Sequence, residues 1–193
     1  MENKSFDKKI ITIPNILSAV RLMMIPLIVW LYCKVENYLL TGVIIIISGI
    51  TDVIDGFIAR HFNMISDVGK VLDPIADKFT QGAVLLCLLS RFPLMLVPIL
   101  CIILKEIFMI ITGFLVIKKV GNVPSADWHG KLATCALYGM MELHILWYDI
   151  TSLASMVSIM ICVCLIGLSF VLYGTENIKA ITGKKKNKKK ASD

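Results

Sequence analysis

Six long apolar runs follow one another along the 193-residue chain, each separated from the next by a short polar break. Each run approaches the roughly 20 residues that an α-helix needs to cross about 30 Å of hydrocarbon. The composition agrees, since 57% of the residues are hydrophobic, against about 45–50% in soluble domains. We therefore predict an all-α integral membrane protein with six transmembrane helices in one bundle. The spans are expected at about 16–33, 39–60, 73–90, 93–117, 130–147 and 151–173.

Polar segments bound this membrane domain at both ends. Residues 1–15 are expected to form a cytoplasmic or interfacial N-terminal segment, because Arg21 interrupts the first apolar run early. No cleavable signal peptide is expected. The six-helix domain is assigned to residues 16–174 and a basic cytoplasmic tail to residues 175–193. The tail contains KKKNKKK and suits anionic membrane lipid, at about 1 kcal/mol per lysine near the surface. Nucleic acid is not expected as a partner, because no aromatic residues are interleaved with these lysines.

The distribution of basic residues predicts the orientation in the membrane. Six spans place both termini on the same side. Seventeen of the twenty Lys and Arg residues fall on that side, Lys34 and Arg91 fall on the other, and Lys105 lies inside a span. Basic residues accumulate in cytoplasmic loops. Both termini, and the acidic stretch described next, are therefore expected to face the cytoplasm across the cell membrane.

Residues 52–77, DVIDGFIARHFNMISDVGKVLDPIAD, contain five of the fourteen acidic residues of the chain. Asp52 and Asp55 are three residues apart, and Asp73 and Asp77 are four apart, so each pair lies on one face of a helix. A hairpin between the second and third spans would bring the pairs together, where four carboxylates repel one another strongly. One or two divalent cations would remove that repulsion, and an all-oxygen ligand set selects Mg2+, Mn2+ or Ca2+ over zinc. Asp67 falls off the pattern and is expected to be solvent-exposed.

Small and basic residues between the paired aspartates extend this site. Gly56 follows Asp55 directly, and Gly69 precedes the third span, so a ligand can approach the backbone closely at both positions. Arg60 lies near the membrane surface and could hold a phosphate through two parallel hydrogen bonds. Carboxylates, a metal and an arginine at the lipid–water boundary suit a diphosphate that carries a lipid tail.

The pattern Asp52-x2-Asp55-Gly56-x2-Ala59-Arg60-x8-Gly69-x3-Asp73-x3-Asp77 resembles the signature of the CDP-alcohol phosphatidyltransferases at every position. The opening IPNILSAVRLMMIP is similar to the IPNxLTxxR start of the bacterial phosphatidylglycerophosphate synthase branch and of the CMP-forming cardiolipin synthases. Six spans and cytoplasmic termini also agree with that family. The resemblance therefore covers most of the chain and implies the CDP-alcohol phosphotransferase fold.

This resemblance implies the chemistry and the roles of the motif residues. In the family an alcohol attacks the β-phosphorus of a CDP-linked lipid, here CDP-diacylglycerol, and CMP is released. Two divalent ions, Mg2+ or Mn2+, are implied at Asp52, Asp55 and Asp73. Asp77 is implied to complete the metal site and to act as general base on the acceptor hydroxyl. The implied cytidine diphosphate pocket consists of Asp52, Gly56, Ala59, Arg60 and Gly69. A homodimer is also implied.

Two alcohols remain candidates for the acceptor. Glycerol-3-phosphate is an anion and would need basic residues, for which Lys105, Lys118 and Lys131 are the expected ligands, with Lys70 and Lys119 as further candidates. Lys105-Glu106 occupies the place where phosphatidylglycerophosphate synthases tend to have Arg-Glu or Arg-Asp. However, HGKLAT at 129–134 lacks the second lysine of their GKxKT segment, which keeps phosphatidylglycerol, and hence cardiolipin synthesis, as an alternative. Lys105-Glu106 could instead be a structural ion pair.

Two functions outside this family are also compatible with paired aspartates in a membrane. A membrane prenyltransferase binds Mg-diphosphate through such pairs, although it leaves the glycines and the arginine unexplained. A divalent-cation transporter would use carboxylates as an ion pathway, but it predicts acidic residues along several spans. Here only Glu106 and Glu142 are acidic inside spans away from the motif.

The cysteines and histidines carry no predicted chemistry. All six cysteines fall in or beside apolar runs without metal-ligand spacing and are expected to be reduced. His129 is expected to be a loop residue at the membrane surface, and His144 a residue that packs inside the helix bundle.

Overall fold

The computed structural model describes residues 13–61, 69–120 and 128–181. Within these ranges the chain forms six α-helices and no strand, which confirms the all-α prediction. The helices are α1 (Ile13–Trp30), α2 (Tyr38–His61), α3 (Gly69–Leu89), α4 (Leu96–Val120), α5 (Trp128–Leu146) and α6 (Ser152–Ile181). A π-helical turn, Leu31–Val35, extends α1, and a 3-10 turn, Pro93–Met95, precedes α4.

Helix lengths and composition identify a membrane protein. In the described part of the chain, three helical segments are long and apolar enough to cross a bilayer: Asn15–Val35, Pro93–Lys118 and Ser152–Ile178. A shorter apolar segment, Tyr38–Asp52, lies in α2. The remaining helices, α3 and α5, correspond to the third and fifth predicted spans but contain acidic, amide and imidazole side chains, which lower their hydropathy.

Large apolar side chains on the outer surface support the same conclusion. On α4, Leu104, Ile110 and Phe114 are each about two-thirds exposed or more, at 65%, 70% and 66%. Exposed apolar surface on this scale marks an interaction with lipid or with another protein rather than with water.

The described chain divides into two compact units. The first unit comprises Met1–Pro93 with Met141–Ile150, and the second comprises Leu94–Met140 with Thr151–Asp193. In the first unit α1 packs against both α2 and α3, whereas in the second α4 packs against α6. The core of the first unit is apolar and includes the fully buried residues Ile28, Ile45 and Leu88.

Arg91 holds one end of the first unit together. Its guanidinium lies 3.7 Å from the centroid of the Tyr148 ring and 5.5 Å from that of Tyr38. The same group donates a hydrogen bond of 2.5 Å to the backbone carbonyl of Tyr148. A cation over an aromatic face is attracted by about 0.5–2 kcal/mol. Arg91 therefore joins the end of α3 to the connection after α5, at the end of the unit where α2 begins.

The second unit contains buried polar contacts near the end of α6. Asn177 donates a 2.9 Å hydrogen bond to the Thr112 hydroxyl, which explains why α6 continues past residue 173, where the sixth span was expected to end. The His129 prediction was wrong. This residue lies in α5 rather than in a loop, and it is only 4% exposed because its ring packs 4.4 Å from that of Tyr173. The packing role predicted for His144 is confirmed by its edge-to-face contact with Phe92.

A close approach of α2 to the end of α5 makes Gly42 sensitive to substitution. A Cβ atom there would lie 2.6 Å from Leu146 Cδ2 and 3.1 Å from Glu142 Oε2, whereas one at Gly49 in the same helix would meet nothing within 4 Å. We expect Gly42→Val to lower the free energy of unfolding by about 1–3 kcal/mol, the usual cost of overpacking. Gly49→Val is the matched control and should remain close to wild type in thermal unfolding in detergent. Equal stability of the two variants would contradict the close contact.

Candidate active site

One face of α1 consists of buried polar residues. Asn15, Ser18 and Arg21 recur every three residues and are 6%, 0% and 2% exposed. This spacing places the three side chains on the same side of the helix. Since α1 packs against both α2 and α3, the polar face can reach the aspartates of either helix.

Asp52 on α2 pairs with Arg21. Arg21 Nη1 lies 2.5 Å from Asp52 Oδ1, and the Asp52 side chain is 44% exposed while that of Arg21 is 2% exposed. The ion pair therefore sits at the edge of the core, with the guanidinium inside and the carboxylate partly open. A buried guanidinium requires such a partner, because an uncompensated charge in the interior costs several kcal/mol.

The two aspartates of α3 each accept a hydrogen bond. The buried Ser18 hydroxyl donates to Asp73 Oδ1. Gln81, one helical turn after Asp77, donates from Nε2 to Asp77 Oδ2 at 2.8 Å and is itself 3% exposed. Each of these carboxylates has a second oxygen, with further acceptor capacity.

The structure brings three of the four predicted metal-binding aspartates into one region of the first unit. Ser18 and Arg21, one turn apart on α1, contact Asp73 and Asp52, so these two carboxylates lie beside the same part of α1, and Asp77 follows Asp73 by one turn of α3. Asp55 lies in α2 one turn beyond Asp52, and its side chain is outside the described residues. Among the side chains that are described, no three His, Cys, Asp or Glu residues lie close enough together to hold a metal ion without a further ligand such as Asp55.

The predicted nucleotide pocket falls at the end of α2 and the start of α3. Gly56, Ala59 and Arg60 lie in the last two turns of α2, and their surroundings are outside the described residues. Gly69 is the first residue of α3 and is buried. The helix therefore begins four residues earlier than the predicted span, so Gly69 and Asp73 share its first turns. Asp67 belongs to the undescribed residues 62–68.

The predicted acceptor lysines do not form one cluster. Lys105 and Lys118 lie on the same helix, thirteen residues apart, which corresponds to about 20 Å along its axis at about 1.5 Å per residue. Lys105 is 9% exposed, and its amine lies 3.9 Å from a Glu106 carboxylate oxygen. Lys118 and Lys131 are exposed. The side chains of Lys70 and Lys119 are outside the described residues.

Sequence reasoning missed three residues that contact the aspartates: Ser18, Arg21 and Gln81. Arg21 did carry a signal, because a charged residue inside an apolar run costs about 2.5–3.5 kcal/mol and so requires a partner. In the sequence this signal predicts an interfacial start of the helix, whereas the structure shows an ion pair with Asp52. Ser18 carried none, since serine is common in membrane helices and its partner lies 55 residues away. The six cysteines are all free, as expected.

Comparison with known proteins identifies the family. The sequence profile of the CDP-alcohol phosphatidyltransferases matches residues 11–173, which include α1, all four aspartates of the motif and most of α6. The chain belongs to this family. The matched region contains both the residues that line the polar face of α1 and the aspartates that they contact.

Individual proteins of this family are 31–37% identical to the chain. A protein of Rickettsia typhi named CDP-diacylglycerol–glycerol-3-phosphate 3-phosphatidyltransferase is 37% identical over 118 residues, which cover 58% of this chain and 64% of that protein. One of the same name from Aquifex aeolicus is 32% identical over 175 residues, covering 88% and 97% of the two chains. A CMP-forming cardiolipin synthase of Streptomyces coelicolor is 31% identical over 140 residues, covering 69% and 64%. The chain thus spans just under two thirds of the length of the rickettsial relatives.

Proposed function

We propose that the protein transfers a phosphatidyl group from CDP-diacylglycerol to sn-glycerol-3-phosphate, giving phosphatidylglycerophosphate and CMP in phospholipid biosynthesis. The observation that carries this proposal is that one turn of α1 contacts both Asp52, through Arg21, and Asp73, through Ser18, within the region that matches the family. The named activity of the Rickettsia typhi and Aquifex aeolicus relatives supports the acceptor. Family membership favours this transfer over prenyl transfer or cation transport.

The donor set fits a hard divalent cation. Asp52, Asp73 and Asp77 offer only carboxylate oxygens, which are the ligands that Mg2+ and Mn2+ prefer. We assign two such ions to these residues and Asp55. When bound, the ions neutralise the diphosphate and stabilise the attacking and leaving oxygens.

Asp77 is assigned as the general base. The acceptor hydroxyl oxygen forms a bond to the β-phosphorus of CDP-diacylglycerol, the bond from that phosphorus to the bridging oxygen breaks, and CMP departs. The hydroxyl proton passes to Asp77. The hydrogen bond from Gln81 to Asp77 Oδ2 supports this role, because it restricts the orientation of the carboxylate that accepts the proton.

The nucleotide pocket is assigned to the residues between the aspartate pairs. Arg60 would bind a phosphate of the cytidine diphosphate group, and Gly56, Ala59 and Gly69 would leave room for it. Asp52 would contribute to this pocket as well as to the metal site. Its partly exposed carboxylate, beside a buried Arg21, is consistent with contact to a ligand from outside the core.

Among the lysines, Lys105 is the best candidate for the phosphate of glycerol-3-phosphate. It is a largely buried cation on a helix apolar enough to span the membrane, where a positive charge attracts an anionic group strongly. Lys118 and Lys131, both exposed, would attract the anionic acceptor at longer range. The alternative role for Lys105-Glu106 is a structural ion pair.

We place the acidic site and both termini in the cytoplasm, on the basis of the excess of basic residues on that side. The division into residues 1–15, 16–174 and 175–193 belongs to the same proposal. The tail would contact anionic membrane lipid, and the protein would act as a homodimer.

A second candidate is cardiolipin synthesis, in which phosphatidylglycerol is the acceptor. The Streptomyces coelicolor relative supports it, as does the separation of Lys105 from Lys118.

A panel of acceptors separates the two candidates. Purified protein in detergent would be supplied with CDP-diacylglycerol, Mg2+ or Mn2+, and one alcohol from glycerol-3-phosphate, phosphatidylglycerol, serine, inositol or inositol phosphate. We expect CMP release with glycerol-3-phosphate and with no other alcohol of the panel. The product, identified by mass spectrometry, should be phosphatidylglycerophosphate. Cardiolipin as the sole product would support the second candidate, and release only with another alcohol would contradict both.

A further inference from the structure

We propose that Ser18 and Arg21, one helical turn apart on α1, are positioning residues that set the Asp73 and Asp52 carboxylates for divalent-metal binding. This inference rests on the proposed function, since it concerns the same aspartates. It assigns a role in the metal site to α1, a helix that supplies none of the aspartates.

The geometry of α1 makes this assignment specific. Ser18 donates to Asp73 Oδ1, and Arg21 Nη1 lies 2.5 Å from Asp52 Oδ1. Because α1 packs against both α2 and α3, these two contacts tie the second and third helices to the same turn of the first. A shift of either helix would break one of the contacts.

The burial of the two donors distinguishes them from the carboxylates that they hold. Ser18 and Arg21 are 0% and 2% exposed, whereas the Asp52 side chain is 44% exposed. The donors are therefore fixed by packing, while the carboxylate of Asp52 remains accessible from outside the core. A hydrogen bond to one oxygen restricts rotation of the carboxylate and leaves the second oxygen available as a ligand.

The charge of Arg21 has a separate effect of opposite sign. Asp73 and Asp77 lie near enough to Asp52 for their like charges to repel its carboxylate. A buried guanidinium beside Asp52 offsets part of this repulsion while no cation is bound, and its own charge repels a metal ion, so the positioning role of Arg21 lies in its contact with Asp52 Oδ1. Partners of metal-binding carboxylates commonly change metal affinity or activity by about 10–100-fold when they are removed.

Mn2+ binding tests the proposal without reference to catalysis. Purified full-length protein in detergent would be titrated with Mn2+ in the absence of CDP-diacylglycerol and acceptor, and free Mn2+ would be followed by its electron paramagnetic resonance signal. We expect Ser18→Ala to weaken Mn2+ binding by about 10–100-fold. Ser18→Thr keeps the hydroxyl and should retain wild-type affinity. Arg21→Gln removes a positive charge together with the contact to Asp52, and these two losses change the affinity in opposite directions, so Ser18→Ala is the decisive variant.

A matched control removes a buried hydroxyl elsewhere in the first unit. Thr41 is fully buried, and among the contacts described its hydroxyl bonds only the backbone carbonyl of Asn37. The helical rise places Thr41 about 16 Å from Asp52 along α2. Thr41→Val should bind Mn2+ as wild type does. Thermal unfolding of every variant separates loss of affinity from loss of fold.

The outcomes separate this inference from the proposed function. Wild-type affinity in a folded Ser18→Ala variant would overturn the positioning role and leave the proposed function intact. The same would follow if a folded Ser18→Thr variant lost as much affinity as Ser18→Ala. Failure of the wild-type protein to bind Mn2+ saturably would overturn the assigned metal site itself, and the inference with it.

Discussion

Asp77→Asn is expected to lower the rate of CMP release by about 10²–10⁴-fold, the usual contribution of a general base. The substitution removes the proton acceptor but keeps the size of the side chain and one oxygen that can accept the hydrogen bond from Gln81. The fold and Mn2+ binding should therefore persist. The measurement is single-turnover CMP release at saturating CDP-diacylglycerol and glycerol-3-phosphate, with Mn2+ affinity determined in parallel.

Asp149→Asn is the matched control, because Asp149 is an exposed aspartate in the connection between α5 and α6, far along the chain from the motif. It should retain wild-type turnover. Full activity in Asp77→Asn would rule out Asp77 as the base. Loss of Mn2+ binding together with activity would instead indicate that Asp77 acts mainly as a metal ligand.

Asp52→Ala is expected to abolish activity and also to lower the free energy of unfolding by about 1–3 kcal/mol, less than the cost of breaking a fully buried ion pair, because the Asp52 side chain is 44% exposed. The physical reason lies in Arg21, which is 2% exposed and would keep its charge without this counter-ion. Thermal unfolding in detergent, compared with that of wild type, measures the loss.

The double variant Arg21→Met/Asp52→Ala tests the reason for that loss. Replacing a buried pair by apolar residues is often neutral for stability. The double variant should therefore recover most of the stability lost in Asp52→Ala while remaining inactive. If the double variant were less stable than Asp52→Ala, the cost would not arise from the loss of the Asp52 counter-ion to Arg21.

The helices were predictable from the sequence because apolar runs of about 20 residues have few alternatives in a membrane protein. The aspartate pairs were predictable for a similar reason, since spacings of three and four residues place side chains on one helix face. In both cases the information is local. The structure accordingly places Asp52 and Asp73 beside the same turn of α1, through Arg21 and Ser18, whereas the predicted hairpin connection falls in residues 62–68, outside the described residues.

The partners of these aspartates were not predictable, because they depend on which face of α1 packs against α2 and α3. Ser18 and Asp73 are 55 residues apart, and nothing in either local pattern indicates the contact. His129 shows that the exact start of a helix is also difficult to predict from the sequence. The start of α5 lies two residues before the predicted span, enough to move this residue from a loop into a helix and into contact with Tyr173.

The lysines show that residues grouped by charge in the sequence can lie far apart along a helix. Lys105 and Lys118 were grouped as acceptor ligands by charge and by resemblance. The helical rise separates them by about 20 Å, so one small anion cannot contact both. The span expected at 93–117 already implies this separation, which a grouping by charge does not take into account.

The central claim, that the aspartates of α2 and α3 form a metal-dependent site for phosphatidyl transfer, is tested most directly by removing and restoring the metal. CMP release from CDP-diacylglycerol and glycerol-3-phosphate would be measured with purified protein before and after treatment with EDTA, and again after excess Mg2+ or Mn2+ is added. We expect release to fall to background with EDTA and to return with either ion. Release that continues at the full rate in EDTA would contradict the account.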